Sequence, residues 1–545
     1  MNRFPRALRV PVLAGGTASA AFLLLACMLI IGALAAVYGR GISHSAVFVT
    51  DSFVFFDGIH RIANGQTPNA DFWSPVGPLP YLFPYFGYLI TGTYAGAVEM
   101  GSLLIVTPTM AAASVLLWKR TPPMMALLVL GTIAAVMVVP LVPGMDADQV
   151  SHAMHYNRWG WGILLSLLTI GLPARNGAVW GCVVVVLAGG LLAALFLIKI
   201  TYFLVGSAYL LLLLFYPDQR RWLALGSLIT AAGMLALATV IYPEMVFGYI
   251  ASIQEALHAG KAVRGPYLSI AFNVRDTLLL LALATYTVLL RPEIDWRDLV
   301  LVFFIVVTGI AIIDQNYQFK FIVTFPAAFA LLVANARTGS DAPARSASVI
   351  IACAAIALIP FALDWSRVTL LHIRAPQGNV PGLTDPKFAE FYIYENKPPT
   401  PTVPPITEPV DVGALVDGKV PITHVRKTDF PSVLEDGVRL LKSAGADRSE
   451  ITTLDFLNTM PLMVDAPRTA KGYSWLHLGR NVGEDTLPDG ATMFKGIAYI
   501  MVPLRSPEHP SVIKLLEIYG DYLKAHAEVV DHSASWVLLR HKPAG

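Results

Sequence analysis

The first uninterrupted apolar run, AAFLLLACMLIIGALAAVY, leaves the chain few ways to fold. A helix of that length rises about 30 Å, the thickness of a bilayer's hydrocarbon core, and no charge interrupts it. At roughly 20 residues per span, about eleven such stretches precede Asp364. Their centres lie near Leu25, Ile105, Ile133, Leu165, Val185, Leu210, Ile229, Leu280, Phe304, Ala327 and Ile356. With 55% hydrophobic and only 14% charged residues in 545, a water-soluble fold cannot hide this surface. The class expected is a polytopic α-helical membrane protein. A net charge of +2 with no basic run gives no hint of a nucleic-acid partner, and none is expected. Cys27, Cys182 and Cys353 all sit in apolar runs and no two have ligand spacing, so they read as small core residues.

Arg3, Arg6 and Arg9 precede the first run, which is longer than a signal-peptide core of about 7–15 residues. It reads as a retained span with a cytoplasmic N-terminus. Lys119-Arg120, Arg175, Arg220-Arg221, Arg291 with Arg297, and Arg337 with Arg345 then fall in every second loop, on the N-terminal side. Under the positive-inside rule the other loops are extracytoplasmic. Asp51, Asp57, Asp71, Asp146, Asp148, Glu255, Asp314 and everything after Asp364 therefore face outward.

The composition changes after the last span. Residues 1–366 form the membrane module, with a first outer loop over 39–93. Residues 367–412 contain the Pro-rich stretch ENKPPTPTVPPITEPVDV and read as an extended linker. Residues 413–545 read as an extracytoplasmic α/β domain. FPSVLEDGVRLLKSAGA and HPSVIKLLEIYGDYLKAHAE have helical periodicity, whereas ITTLDF, GIAYIMVPL and SWVLLRHK read as strands. In YSWLHLGR, Tyr473, Trp475 and His477 alternate as on a strand, with Arg480 just beyond; this face suits acceptor binding, or else caps the membrane mouth.

The first outer loop carries the most specific pattern. In DSFVFFDGIHRIANG, Phe55, Phe56, Ile59 and Ile62 share one helical face and Asp57, Arg61 and Asn64 the other, as in a helix lying in the membrane interface. GQTPNADFWSPVGP breaks the chain, and LPYLFPYFGYLITG makes a second short helix. With Asp51 at the outer end of the first span and Gly65, Pro68, Asp71 and Phe72 in the turn, this arrangement resembles the GT-C superfamily of membrane glycosyltransferases. The likeness is to bacterial relatives of protein O-mannosyltransferases and of the lipid A aminoarabinose transferase. It covers the first loop well and the helix layout loosely. It departs at Ser52, where many relatives carry a second acid; this puts a paired-carboxylate or metal role in doubt.

The resemblance implies a GT-C-like fold in a bacterial cytoplasmic (inner) membrane. It also implies transfer of a sugar from a polyprenyl-phosphate donor to a glycan, lipid or protein acceptor, with Asp51 as catalytic base. Spacing alone favours a helix cap or solvated loop acid for Asp51, and the resemblance tips it to the base. A base takes the acceptor hydroxyl's proton as it attacks the anomeric carbon, and a lipid phosphate leaving at the interface needs cations. Lys199, nearly surrounded by apolar sequence in AALFLIKITYFLV, is the first choice for the donor phosphate, with headgroup snorkelling as the alternative. Lys261 and Arg264, in a longer outer loop, and Lys320 are further cations, and Arg158 is another. Substrate contacts are assigned to Asp71, His155, Tyr156, Asn157, Gln315 and Asn316. Asp148, His152 and His155 have spacing conceivable for a metal, but too few ligands to assign one, and no cofactor is expected. A transporter or flippase of a lipid-linked or small polar substrate is the alternative, but charge is nearly absent from the helix interiors and no internal repeat is evident. A receptor or scaffold acting through the tail leaves the first-loop acids unexplained.

Overall fold

A computed structural model describes residues 18–39, 41–45, 48–141, 145, 150–152, 154–173, 178–259, 270–289, 296–316, 321–337, 344–378, 380–381, 383–393, 410–466 and 471–542. Each of the eleven predicted centres falls inside an α-helix. Among the described residues six helices are long and apolar enough to cross a membrane: Ala20–Tyr38, Tyr94–Leu117, Trp180–Ile198, Gln219–Ile241, Trp296–Asn316 and Ala355–Gln377. Pro123–Val138 and Ile200–Leu213 are shorter apolar helices. The last helix as a whole runs from Ala344 to Gly378, so the expected linker at 367 starts instead as continuous helix. The chain beyond it stays folded, with a strand at Phe391–Ile393 and Phe388 buried. The Pro-rich part, 394–409, lies outside the described residues.

From Val410 onward the chain builds a mixed four-stranded sheet. Ala527–His532 pairs antiparallel with Trp536–His541, which pairs antiparallel with Tyr499–Pro503, and Ile451–Thr453 closes the edge in parallel. Strand alternation fills two cores at once. Trp536, Leu538 and Met501 face one core, while Val537, Leu539, Ile500 and Val502 face the other. Helix Phe430–Ser443 covers the first face, and Trp536 Nε1 donates to the Val433 carbonyl at 2.7 Å. Helix His509–His526 packs into the second core through Val512, Leu515 and Leu516.

The first of these cores also contains the first-loop helix Val49–Ala63, through Val49, Phe53, Phe56 and Ile59. The helix expected to lie in the membrane interface is thus packed into the same core as the tail. Asp57, His60 and Arg61 are all buried. The polar face survives burial because it pairs with itself and with the tail. Arg61 Nε meets Asp57 Oδ2 at 2.6 Å one helical turn away, and His60 Nε2 lies 3.2 Å from the Ala466 carbonyl. Two short parallel ladders add to this join: Ser43–Ser45 with Phe391–Ile393, and Phe72–Trp73 with Gly472–Tyr473. The first loop and the tail are one packed body.

Candidate active site

Helix Val49–Ala63 begins beside a cavity of about 570 Å³ and brings Asp51 to its wall from the first turn. Tyr156, Lys199, Thr201 and Gln315 line it from the mouth of the helix bundle. Ile253, Ala256 and Leu257 add an apolar side from helix Pro243–His258. The C-terminal unit closes it with Lys427, Phe456, Trp475, His477, Arg480, Asn481 and Glu508.

Lys199 reaches the cavity through a break in the chain. It takes extended backbone angles (φ −163°, ψ 127°) between helices Ala178–Ile198 and Ile200–Leu213, so two apolar segments meet at one polar residue. Its Nζ donates to Asn157 Oδ1 at 3.2 Å and to Asn316 Oδ1, and lies 5.3 Å from the centre of the Tyr156 ring. Asn316 is held in turn, donating through Nδ2 to the Tyr202 hydroxyl at 3.3 Å. Thr201 Oγ1 donates to Gln315 Oε1 at 3.0 Å. The lysine is thus fixed by neutral oxygens, which leaves its charge uncancelled by these two partners.

Burial pushes the Asp51 carboxyl above the ordinary carboxylate range; Lys427 and Arg480 pull it down, and Glu508 pushes it further up. A carboxylate with a raised pKa is a better proton acceptor when ionised. Across the cavity, burial holds the His477 imidazole below its usual value, helped by Arg480 and Lys427. The 475–481 segment is tied together by the Asn481 side chain. Asn481 Nδ2 donates to the Trp475 carbonyl at 2.7 Å, and the His477 N–H donates to Asn481 Oδ1 at 2.7 Å. The strand expected across YSWLHLGR ends at Tyr473, because its partner Phe72–Trp73 is only two residues long and Asn481 takes over the backbone beyond.

Of the residues singled out in the sequence, Asp51, Lys199, Tyr156 and Gln315 line the cavity, and Asn157 and Asn316 hold Lys199. Three are placed elsewhere. Arg158 is buried and donates to the Ser151 carbonyl at 2.7 Å, away from the cavity wall. His155 is enclosed between Phe55 and Trp159, with its two ring nitrogens against the His152 and Pro80 carbonyls, so it holds the bundle mouth together. Asp71 accepts from the Thr67 N–H and pairs with Lys471 at 2.6 Å, fastening the first-loop turn to the tail. Lys261, Arg264 and Lys320 lie outside the described residues, as do Asp146 and Asp148. His152 pairs with Glu99 at 3.0 Å, both buried. Among the described residues no cluster of three His, Cys, Asp or Glu side chains is placed to hold a metal ion.

Lys427, Phe456, Asn481 and Glu508 were missed. Lys427 sits in a helix-entry turn and Glu508 at the start of another helix, positions where charged residues are ordinarily solvated. No local signal distinguishes them. What brings them together is the parallel pairing of Thr423–His424 with Arg505–Ser506.

The six spanning-length helices among the described residues, with a cavity roofed by an α/β unit at one end of the bundle, define a multi-pass membrane protein. No family model matches the chain, and no curated protein matches it. Among solved structures the chain is similar to ArnT from Cupriavidus metallidurans bound to undecaprenyl phosphate. That match has a TM-score of 0.48 and 13% identity, and covers 94% of this chain and 97% of that one. It is also similar to the Archaeoglobus fulgidus oligosaccharyltransferase in the apo form, with a TM-score of 0.38 and 10% identity over 90% of this chain and 72% of that one. Likeness at this level concerns the arrangement of elements alone.

Proposed function

We propose that the chain is a membrane glycosyltransferase that moves a sugar from a polyprenyl-phosphate donor to an acceptor hydroxyl at the extracytoplasmic face. The observation that carries this reading is the meeting of Asp51 and Lys199 on one cavity at the bundle mouth. An acid and a cation held in one wall have complementary uses in glycosyl transfer. Asp51 takes the proton of the acceptor hydroxyl as its oxygen bonds to the anomeric carbon. The bond from that carbon to the donor phosphate oxygen breaks, and the oxygen keeps the electron pair. Lys199 offsets the charge that develops on the leaving lipid phosphate. A single displacement of this kind inverts the anomeric configuration. The apolar side formed by Ile253, Ala256 and Leu257 suits the start of a polyprenyl chain, and Trp475, His477 and Asn481 suit an acceptor sugar.

The test is Asp51→Asn in the full-length protein reconstituted in nanodiscs, assayed with a radiolabelled polyprenyl-phosphate sugar. The amide keeps the shape but removes the base, so turnover falls by about 10²–10⁴-fold while the melting profile persists. Transfer at the wild-type rate would remove Asp51 from the chemistry.

A further inference from the structure

The cavity contains an ion pair of its own. Lys427 Nζ lies 3.1 Å from Glu508 Oε1, and both side chains are about three-tenths exposed (28% and 31%). Both line the wall that carries Asp51 and Arg480. The two residues are 81 positions apart and meet because Thr423–His424 and Arg505–Ser506 run side by side in parallel, each just ahead of one member of the pair.

We propose that Glu508 is an internal counter-anion: it occupies Lys427 in the empty cavity and yields it to a phosphate group of the incoming substrate. This rests on the glycosyltransferase reading and adds a specificity-determining pair to it. Three features of the geometry support an exchangeable contact rather than a structural strut.

First, the backbone of Glu508 is anchored independently of its side chain. Its N–H donates to Ser506 Oγ at 3.0 Å, and Ser506 Oγ donates to the buried Asp455 carboxyl at 3.0 and 3.2 Å. Releasing Lys427 therefore leaves the fold of this turn intact. Second, Lys427 has a second hold, its Nζ lying 5.7 Å from the centre of the Phe48 ring, another cavity residue. When Glu508 lets go, the ammonium stays at the wall. Third, a partly exposed lysine–carboxylate pair is screened by water and weakly held. A phosphate brings more charge and three acceptor oxygens to the same ammonium, so it is the stronger partner. With Glu508 displaced, Lys427 supplies a cation from the tail side to the cavity that Lys199 lines from the bundle side.

The experiment measures binding of two probes, inorganic phosphate and a short-chain polyprenyl phosphate, to the full-length protein in nanodiscs. The variants are Glu508→Gln, Lys427→Gln and the double variant. Removing the competitor should tighten phosphate binding by about 2–5-fold in Glu508→Gln, the worth of a screened pair. Lys427→Gln should weaken it, and adding Glu508→Gln to that background should restore nothing. In turnover, Glu508→Gln should lower the donor KM and Lys427→Gln should raise it, opposite movements that a merely structural role would not give. Glu508→Asp, which keeps the charge but shortens the reach, serves where the glutamine variant folds poorly, and should fall between wild type and Glu508→Gln. Tightening for both probes assigns the exchange to phosphate in general; tightening for the lipid probe alone assigns it to the donor headgroup. Either supports the proposal. Unchanged or weaker binding in Glu508→Gln, tightening that persists without Lys427, or no binding of either probe to any variant overturns it. The base assignment is judged separately, by the turnover of Asp51→Asn.

Discussion

Replacing Lys199 with methionine removes the ammonium while keeping most of the stem, so the cavity loses one charge and little volume. In the wild-type chain the ammonium is presented by two asparagine oxygens, Asn157 Oδ1 at 3.2 Å and Asn316 Oδ1, and its charge remains available to a third partner. A hydrogen bond to a charged group contributes about 1.5–3 kcal/mol net, so loss of the phosphate contact weakens polyprenyl-phosphate binding by about 10- to 150-fold. The effect on turnover should be larger than that on donor KM. Phosphate charge increases as the anomeric bond breaks, so the ammonium favours the transition state over the ground state. Titration calorimetry with a short-chain polyprenyl phosphate gives the first number, and steady-state transfer gives the second. Thermal unfolding of the same sample shows whether the two asparagines tolerate losing their donor. A folded Lys199→Met protein with wild-type affinity and wild-type kcat would refute the assignment of the donor phosphate to this wall.

Two pH predictions follow from buried carboxyls outside the spans. A base must be ionised to act, so the transfer rate should rise with pH through an Asp51 pKa above the ordinary carboxylate range. Lys427→Gln should move that limb to higher pH and Glu508→Gln to lower pH, since Lys427 pulls the Asp51 pKa down and Glu508 pushes it up; movement in the same direction in pH–rate profiles would contradict the electrostatics. Asp455 is pushed up to about 7, chiefly by burial. Its carboxyl stays protonated in the folded chain when an unfolded one would already ionise, so stability present at low pH is lost as pH rises through the range from about 4 to about 7. The loss is on the order of 4 kcal/mol at full ionisation. Asp455→Asn should flatten the fall of melting temperature between pH 5 and pH 8, and an unchanged slope would show that Asp455 does not titrate there.

Part of the site was legible from single positions. Lys199 stood out because an ammonium within an apolar run must be paired, solvated or used, and the structure gives it two asparagine partners at a cavity. Asp51 was legible through the first-loop motif, with Gly65 and Asn69 taking the positive φ values (84° and 63°) that its turn requires. The tail segment 473–480 was legible as a polar and aromatic face, and Trp475, His477 and Arg480 line the cavity even though the strand stops at Tyr473. Arg158 and His155 looked equally suitable in sequence, being polar groups at a span's mouth. Arg158 is taken up by the Ser151 carbonyl of its own approach segment, and His155 by the nearby His152 carbonyl and the distant Pro80 carbonyl, bonds that residue type and spacing do not announce.

The sequence by itself determined the class of molecule and the places of its helices, since these follow from how much apolar surface each stretch must keep from water. It also placed three strands of the tail's sheet and its two long helices, where residue periodicity reports which side of an element is buried, but not the edge strand Ala527–His532, whose first residues read as a continuation of the preceding helix. Only the tertiary structure decided that Val49, Phe53, Phe56 and Ile59 pack into the tail, making the first loop and the tail share one core, and that Asp57, His60 and Arg61 are buried with them. It alone decided that Lys427, Arg480 and Glu508 meet Asp51 and Lys199 around one cavity. Periodicity reports an element's own buried face but not which distant element covers it. Charges far apart in the chain become neighbours only when strand pairing and docking fix the register between them.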